Sequence, residues 1–485
     1  MASEETYKIV LDPVHGIIHL DELAVKIIDT LYFQRLRYVK QLAFADFVYP
    51  GATHTRFSHS IGVYHLACQM INAIEGHKLP DGAVEMSPED KRCIRVAALC
   101  HDLGHGPFSH SYTQIGNKII KEDDGSELQL KHEDVTLALV DKMFIDDRYH
   151  LKKYLAPDEK AEELLKLIKE LIVGKCEAEM LPTEKRKKYM FQIVSNVDSG
   201  IDVDKWDYFN RDAMACGISE RFQYERALSV ARVVQTKDGV FELGYRDYDA
   251  FNLYSMFNTR FTLYRKIYKH KVVVAVDLMI RDVFRCVQRA NKIENDKRER
   301  IDLFPLRKLD DLNDQDKLNK FLKLADDLLF KIRDSSEESY RDAQDLIQRI
   351  HERQLYKLVM DIPVVKGEDL ERKVAELRVH IENTAKKMEL KIPEDIEIEE
   401  LRFDYGQMSE DPIMKLYFYR KGKEDTGVKL EKDSVSSVLP GIFQEFHLRL
   451  YHKLKSTDEE KLTKLEELKK MLTEEAISRP ALKNL

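Results

Sequence analysis

The stretch LCHDLGHGPFSH, residues Leu99–His110, places three histidines and one aspartate within twelve residues. The apolar spacing of residues 94–98 before it predicts a helix with one buried face, which the glycines that follow bring to an end. His101 and Asp102 therefore lie at the C-terminal end of this helix. Because successive helical residues point about 100° apart, both side chains can reach one ion placed just beyond the helix.

Two further side chains complete a candidate metal site. His59 lies on the apolar face of a second predicted helix, where an unpartnered imidazole is costly to bury, and Asp204 adds a carboxylate on a third. Donors from three helices suit a transition-metal site with positions open to water or substrate. Taken singly, each residue also fits a hydrogen-bonded helix end or a satisfied core histidine. The density of histidines favours the metal, since eight of the sixteen lie within about eighty residues. Six of these are candidates for the site: His54, His59, His101, His105, His110 and His132.

Cations and tyrosines recur at helical spacing near these candidate ligands. They form two groups: Lys205, Tyr208 and Asp212 in one, and Arg260, Tyr264 and Tyr268 in the other. Arg56 adds a cation beside His59. Basic side chains next to a metal suit a polyanionic substrate, while tyrosines and an aspartate can hold a sugar hydroxyl or stack on a base. For Tyr264, simple packing remains an equal alternative.

The chain has 485 residues, which favours one large domain with an added lobe, or two domains. We predict a mainly α fold, with a helical domain at 7–295 and a smaller α+β lobe at 296–485. Residues 395–405 and 414–422 alternate with a period of two, which predicts a small antiparallel sheet. The polar stretches 113–135 and 174–188 are expected to be exposed loops.

Composition limits the partners. A formal charge of −8 argues against a generally basic surface, so nucleic acid is possible but unsupported as a partner. No stretch approaches the ~20 apolar residues that span a bilayer, so no membrane association is expected. The six cysteines form no CxxC pair, which argues against a disulfide framework and a zinc finger. We expect an intracellular protein, nuclear or cytoplasmic.

Four stretches together resemble a known family: HTRFSHSIGV, LCHDLGHGPFSH, GIDVDKWDYFNRD and TRFTLYRKIYKHK. They are similar to the HD-domain metallo-phosphohydrolases, and more narrowly to the SAM- and HD-domain-containing deoxynucleoside triphosphate triphosphohydrolases. The resemblance starts at YKIVLDPVHGIIHL, about ten residues into the chain, so no SAM domain is expected before it. It implies a helical metallohydrolase that cleaves dNTPs into a deoxynucleoside and inorganic triphosphate.

The resemblance assigns the catalytic centre residue by residue. It implies one metal, iron, zinc or manganese, on His59, His101, Asp102 and Asp204, with magnesium on the nucleotide phosphates. His110 would protonate the leaving 5′-oxygen, with His105 beside it and a relay through His132 and Glu133. Thr113 stands where the family has an aspartate, so the relay departs from the family pattern.

The resemblance also implies how the substrate is held. The triphosphate would be contacted by Arg56, His105, His110, Lys205 and Arg260. The 3′-hydroxyl would be held by Gln41, Tyr208 and Asp212, and the 2′ position would be crowded by Leu42 and Tyr268. Met214 and Tyr264 replace family histidines near the pocket, which would alter base tolerance.

The family is activated by nucleotides that assemble dimers into tetramers. A site for GTP or dGTP is implied at Lys8, Val10, Asp29, Gln34, Arg37, Arg353 and Lys357. A neighbouring deoxynucleotide site is implied at Val48, Tyr49, Arg226, Arg246, Asn252, His270, Lys271 and Lys432. Leu11, Gln223 and Tyr248 depart from the family at this second site.

Two other functions remain open from the sequence. One is an HD hydrolase acting on another nucleotide phosphoester, which Thr113, Met214 and Tyr264 favour. The other is a nucleotide-regulated scaffold that binds single-stranded nucleic acid, against which the complete ligand set and the acidic balance argue.

Overall fold

A computed structural model describes residues 7–125, 130–175, 187–293, 300–364, 370–436, 438–455 and 457–478. The chain divides into two compact units whose segments alternate along the sequence. Unit 1 comprises Met1–Leu263, Asp302–Lys331 and Asp411–Leu439, and unit 2 comprises Tyr264–Ile301, Ile332–Glu410 and Pro440–Leu485. The predicted domain boundary at 295/296 stays a prediction.

Helices dominate the described residues, so the predicted mainly α fold class is confirmed. In the first part of unit 1 they are α1 (Glu22–Ile28), α2 (Leu31–Gln34), α3 (Arg56–Glu75), α4 (Pro88–Cys100), α5 (His110–Asp124), α6 (His132–Ile145), α7 (Lys152–Leu155), α8 (Asp158–Val173), α9 (Phe191–Val194), α10 (Val203–Ala215), α11 (Tyr224–Val230) and α12 (Ala250–Leu263). The others are α13 (Lys271–Ile293), α14 (Gln315–Leu322), α15 (Leu328–Arg333), α16 (Arg341–His351), α17 (Leu370–Lys387), α18 (Lys432–Val435) and α19 (Glu459–Ser478). None of the described helices is both long enough and apolar enough to cross a membrane.

The helix α4 shows why the chain presents His101 and Asp102 where it does. Ser87 caps its N-terminus in a reciprocal pair with Asp90, and Pro88 occupies the first turn. The last five residues of α4, Val96–Cys100, are all buried, so this end of the helix is enclosed on every side. His101 is the C-cap, and both candidate ligands therefore start from a rigid helix end.

Two small sheets belong to unit 1. The strands β1 (Lys8–Asp12) and β2 (Gly16–Leu20) form an antiparallel hairpin in which Asp12 lies opposite Gly16. A closed barrel contains β3 (Arg232–Gln235), β4 (Phe241–Arg246), β7 (Tyr417–Arg420) and β8 (Lys423–Val428). Within it, β3 pairs antiparallel with β4, and β4 pairs parallel with β7.

Unit 2 is built on an antiparallel sheet with the strand order β5 (Lys357–Val364), β9 (Gln444–His452) and β6 (Ile396–Asp404). Its core joins the sheet to α17 and α19 through buried aliphatic side chains. These include Val374, Leu377, Ile381, Ile398, Leu448, Leu450, Leu465 and Leu468. Burial of this set supplies the main stabilisation of the unit.

Residues 395–405 and 414–422, which were predicted to contribute to one small antiparallel sheet, lie in two different sheets. Strand β6 pairs with β9 in unit 2, whereas β7 belongs to the barrel of unit 1. Alternating apolar residues identify a strand, but they do not identify the strand that it pairs with. In this chain the partner strand β9 lies at 444–452, beyond both runs.

The prediction of an exposed loop at 113–135 is also wrong over most of that range. The helix α5 covers His110–Asp124, and α6 begins at His132. Tyr112, Ile115 and Ile119 lie on one buried face of α5. Their spacing of three and four residues is the period of an amphipathic helix, although polar and charged residues lie between them. Most of the second predicted loop, 176–186, lies outside the described residues.

Candidate metal and phosphate site

The four predicted ligands come together in unit 1. The Nε2 atom of His59 on α3 lies 3.1 Å from Asp204 Oδ1, 3.2 Å from His101 Nε2 and 3.4 Å from Asp102 Oδ2. His101 Nε2 lies 3.4 Å from Asp204 Oδ1. His59 and Asp102 are buried, and the other two are half-buried. Two imidazole nitrogens and two carboxylates therefore converge on one small volume.

The electrostatics of this volume suit a cation. Burial lowers the pKa of His59, but hydrogen bonds and attraction from Asp204, Asp207 and Asp102 outweigh it and raise the pKa to about 10. Burial raises the pKa of Asp204, whereas His101 and His59 lower it more, so that it lies well below its usual range. The pocket therefore stabilises positive charge at its centre, and the donor set is the N/O combination that transition metals accept.

Each histidine ligand presents the same ring atom. His101 directs Nδ1 to the backbone oxygen of Ala98 at 2.9 Å, and His59 directs Nδ1 to Asp207 Oδ2 at 2.7 Å. Nε2 of both rings consequently faces the metal site. Asp207 was missed by the sequence reasoning, although it lies in the same stretch as Asp204.

The loop after His101 is held by unit 1 residues distant in sequence. The guanidinium of Arg35 is buried and donates to the backbone oxygens of Leu103 at 2.7 Å and His105 at 2.6 Å. Asp326 accepts from the backbone N–H of Phe108 at 2.7 Å. A Cβ on Gly104 would lie 2.1 Å from the backbone oxygen of His132, so the close approach of loop and α6 requires glycine. Arg35 and Asp326 carry no motif that marks this role.

His105 from this loop clusters with two other histidines, His110 and His132. The rings of His105 and His132 stack at 4.0 Å, and the ring of His110 lies 4.8 Å from that of His105. Burial holds the pKa of His105 well below its usual range, with Arg56 and His132 acting in the same direction. Burial also lowers the pKa of His132, whose Nδ1 lies 3.1 Å from Glu133 Oε2. His110 is the exposed member, at the first turn of α5.

Two predicted phosphate-binding cations are already paired with carboxylates. Arg56 is buried and donates to Asp102 Oδ2 at 2.6 Å and to Ser109 Oγ at 2.9 Å. Lys205 donates to Asp202 Oδ2 at 2.7 Å. Burial lowers the pKa of Lys205, but Asp202 and Asp204 raise it more, while nearby Arg260 opposes them. Arg260 thus belongs to the same electrostatic surroundings as Lys205.

The residues predicted to hold the sugar fall into two sets. In unit 1, Asp212 Oδ1 lies 2.7 Å from His54 Nε2, and the backbone oxygen of His54 accepts from the N–H of buried Gln41. His54 was counted only as part of the histidine density, so its link between the two predicted residues was missed. Tyr208 lies edge-on to the ring of His59, and Leu42 is half-buried.

Tyr264 and Tyr268 belong to unit 2 and are in edge contact, with ring centroids 4.9 Å apart. The α-helical face expected to carry Arg260 and both tyrosines does not continue that far. The helix α12 ends at Leu263, and Tyr264–Tyr268 form a π-helical turn. The wider turn breaks the four-residue spacing on which the prediction depended.

The residues implied for activator binding are distributed over both units. In unit 1, Lys8 and Val10 lie on β1, Asp29 caps α1, and Arg37 donates to Gln34 Oε1 at 2.8 Å. Also in unit 1 are Val48, Tyr49, Arg226, Arg246, Asn252 and Lys432, and in unit 2 are His270, Lys271, Arg353 and Lys357. Arg226 pairs with Asp249. The departures Leu11 and Tyr248 are both strongly exposed.

Residues 56–210 match the HD domain family. Deoxynucleoside triphosphate triphosphohydrolase SAMHD1 from Homo sapiens is 35% identical over 468 residues, covering 93% of this chain and 71% of that protein. The SAMHD1 homolog from Dictyostelium discoideum is 30% identical over 469 residues, covering 97% and 82%. The putative HD domain-containing protein L394 of Acanthamoeba polyphaga mimivirus is 29% identical, with 75% of each chain covered. The chain therefore belongs to the family of HD-domain deoxynucleoside triphosphate triphosphohydrolases.

Proposed function

We propose that the protein hydrolyses deoxynucleoside triphosphates to a deoxynucleoside and inorganic triphosphate, using one transition metal. The observation that carries the proposal is the convergence of His59, His101, Asp102 and Asp204, with Arg56 against Asp102. Two relatives align along most of this chain. The human protein is named a deoxynucleoside triphosphate triphosphohydrolase, and the Dictyostelium discoideum protein is named its homolog. A histidine–aspartate pair without the other two donors would support only a hydrolase of unspecified substrate.

The donors fit iron, manganese or zinc, which would be held by these four side chains. When bound, the metal would supply Lewis-acid stabilisation of the charge that develops at the α-phosphate. Magnesium would accompany the nucleotide phosphates. Arg56, Lys205 and Arg260 would bind the triphosphate. Because Arg56 and Lys205 are oriented by Asp102 and Asp202, the substrate meets cations whose positions are largely set beforehand.

His110 would protonate the departing 5′-oxygen. It is the exposed histidine of the cluster, whereas burial keeps His105 and His132 neutral. His132 next to Glu133 would then restore the proton, and His105 would donate an N–H to phosphate. Thr113 replaces the family's aspartate one turn after His110, so the relay would depend on His132 and Glu133.

The deoxyribose would be recognised by Gln41, Tyr208 and Asp212 at the 3′-hydroxyl. The contact of His54 with Asp212 supports this, since it fixes the carboxylate that accepts the hydroxyl proton. Leu42 and Tyr268 would exclude a 2′-hydroxyl, and Tyr264 would contact the base. A ribonucleotide should consequently be a poor substrate.

Guanine nucleotide would activate the enzyme by assembling dimers into tetramers. Arg37 supports this proposal because its guanidinium lies 3.5 Å from the centre of the Phe57 ring and hydrogen-bonds Gln34, which holds it exposed and ready for a phosphate. Lys8, Asp29, Arg353 and Lys357 would complete the site. We also propose an intracellular location, where dNTPs are available.

The test is a product assay on the purified chain with dATP, in Fe²⁺, Mn²⁺, Zn²⁺ or Mg²⁺, with and without GTP. We expect deoxyadenosine and triphosphate in equal amounts, faster with GTP and accompanied by a shift to tetramer in light scattering. The double variant H101A/D102A should give no product. Intact dATP under every condition would refute the proposal, and release of orthophosphate or pyrophosphate would indicate another phosphoester reaction.

A further inference from the structure

A second carboxylate on α10 lies behind the metal site. Asp207 is fully buried, and its Oδ2 atom is 2.7 Å from His59 Nδ1, on the side of the ring that faces away from the other ligands. Its Oδ1 atom is 2.6 Å from Nε2 of His15, a residue between the strands β1 and β2. Asp207 lies within the GIDVDKWDYFNRD stretch and His15 within YKIVLDPVHGIIHL, but neither residue was given a role from the sequence.

The carboxylate is fixed by a third partner. Arg211, one turn further along α10, donates Nε to Asp207 Oδ2 and Nη2 to Asp207 Oδ1, both at 2.8 Å. The same guanidinium donates Nη1 to Asp12 Oδ2 at 2.8 Å, and Asp12 also accepts from the backbone N–H of His15. Asp207, Arg211, Asp12 and His15 therefore form one buried network, called here the hairpin network, that joins the β1–β2 hairpin to His59.

The contact with Asp207 decides which nitrogen of His59 is available. An ionised carboxylate only accepts hydrogen bonds, so Nδ1 of His59 must carry a proton. When the ring gives up its other proton to bind a metal, the lone pair resides on Nε2, which faces Asp204 and His101. A carboxylate behind a ligating histidine also increases the basicity of the ring and fixes its orientation.

Packing leaves Asp207 little freedom to move. A Cβ on Gly62, one turn after His59 on α3, would lie 1.8 Å from Asp207 Oδ1 and 2.5 Å from Arg211 Nη2. The helices α3 and α10 approach closely here, so the ligand and the carboxylate behind it are held in register. This observation is independent of the hydrogen bonds and points to the same fixed geometry.

We propose that Asp207 is a positioning residue for the metal, that it acts by orienting His59, and that the hairpin network holds it in place. The inference rests on the proposed function only in taking His59 as a metal ligand. It assigns a role to His15, Asp12 and Arg211, which lie outside the ligand set. Metal affinity should therefore respond to changes in the hairpin.

The test measures binding of Mn²⁺ alone to the metal-free chain, by competition with a chelator and without nucleotide. For D207N we expect about 10- to 100-fold weaker binding, and a smaller loss for H15Q. G62A should also weaken binding, because the added methyl group displaces Asp207 while every ligand is retained. With diamagnetic Zn²⁺ bound in place of Mn²⁺, the ¹⁵N shifts of His59 in wild type should show the proton on Nδ1, and D207N should lose that signature.

E242Q is the matched control. Glu242 is also buried in unit 1 and accepts from Lys188 and Gln192, both at 2.9 Å, but it does not contact the ligand residues. E242Q should lower stability and leave Mn²⁺ affinity within about twofold. The inference would be overturned if folded D207N bound Mn²⁺ with wild-type affinity. It would also be overturned if E242Q and D207N lost Mn²⁺ affinity equally, or if the wild type bound no metal. An active wild type with unaltered D207N affinity would refute this inference alone, whereas metal binding without dNTP hydrolysis would refute only the proposed function.

Discussion

The histidines of this site differ in protonation because their neighbours differ. His59 is surrounded by carboxylates and holds a proton when no metal competes, whereas His105 faces Arg56 and is kept neutral by burial. His110 is exposed, which lets it exchange protons with solvent. Under the proposed function, the stretch Leu99–His110 would supply a metal ligand, a neutral donor and a proton source, and their different surroundings would separate the roles.

Replacing His110 tests its role as proton donor. H110A should lower kcat for dATP by about 10²- to 10⁴-fold, the usual contribution of general acid catalysis. Metal content should not change, because His110 is not one of the four ligands. The assay is steady-state kinetics with metal analysis of the same sample. H351A, which alters an exposed histidine on α16, should keep full activity, and an H110A variant within tenfold of wild type would rule out the role.

The four candidate metal donors were predictable because each lies on, or at the end of, a helix whose period is visible in the sequence. His59 on α3, His101 and Asp102 at the end of α4 and Asp204 on α10 all occupy the elements expected of them. Their supporting partners were not predictable. Asp207, Arg35 and Asp326 act across separations that local spacing does not encode.

At the scale of elements, the loop between α4 and α5 depends on one buried cation. Arg35 donates to Leu103 and His105 and to the backbone oxygen of Leu324 at 3.1 Å, and its charged group stacks on Phe321. Burial lowers its pKa to about 10, which leaves it charged at neutral pH. Three backbone carbonyl groups therefore accept hydrogen bonds from one guanidinium, Leu324 from Nη1 and Leu103 and His105 from Nη2.

R35M should test how much this anchor contributes. The variant keeps the apolar part of the side chain but leaves buried carbonyl groups without a donor. Each unsatisfied carbonyl lowers the free energy of unfolding by about 1–3 kcal/mol. We expect the free energy of unfolding in urea to fall by about 3 kcal/mol, with reduced dATP hydrolysis because His105 loses its backbone anchor. R37M, at an exposed position two residues away, should change stability little. A loss below about 0.5 kcal/mol in R35M would contradict the assignment.

The strand β9 carries a histidine whose charge stabilises unit 2. Asp361 Oδ1 lies 2.6 Å from Nδ1 of His447 and Glu445 Oε1 lies 3.4 Å from Nε2, while Arg449 holds the other oxygen of Asp361. Burial lowers the pKa of His447, but the two carboxylates outweigh it and raise the pKa above its usual value. The folded state therefore binds the proton more tightly than the unfolded state.

H447Q should show the sign of this effect. Stabilisation by the protonated ring is complete below the unfolded pKa of about 6.5 and is lost as pH rises through the higher folded pKa. The decrease in Tm caused by H447Q should be larger at about pH 6 than at about pH 9. His452 on the same strand has its pKa lowered by burial and by Lys357, so H452Q should show the opposite trend. A pH-independent effect of H447Q would contradict the prediction.

For the whole molecule, the sequence predicted the class of fold better than its connectivity. The helical character and the helices that carry the candidate ligands were predictable from local periods, whereas the two compact units are built from alternating segments. The barrel shows why: β3 and β4 pair with β7 and β8, which lie more than 170 residues later. Such long-range pairing leaves no local trace in composition or spacing.

The metal should couple to the stability of the molecule, because unit 1 gathers its ligands from three separate helices. A metal that binds only the folded state stabilises it by RT ln(1 + [L]/Kd), about 2.7 kcal/mol at a hundredfold excess over Kd. Addition of Mn²⁺ to the chelator-treated wild type should therefore raise Tm, and excess EDTA should reverse the increase.

D204A should remove the response to Mn²⁺, while D425A, at an exposed carboxylate on β8, should retain it. Calorimetry would separate this effect from general salt stabilisation, since Ca²⁺ at the same concentration should shift Tm much less than Mn²⁺ at an N/O ligand set. A metal response that survives in D204A would place the stabilising ion elsewhere in the chain and remove the support that the four converging donors give to the proposed function.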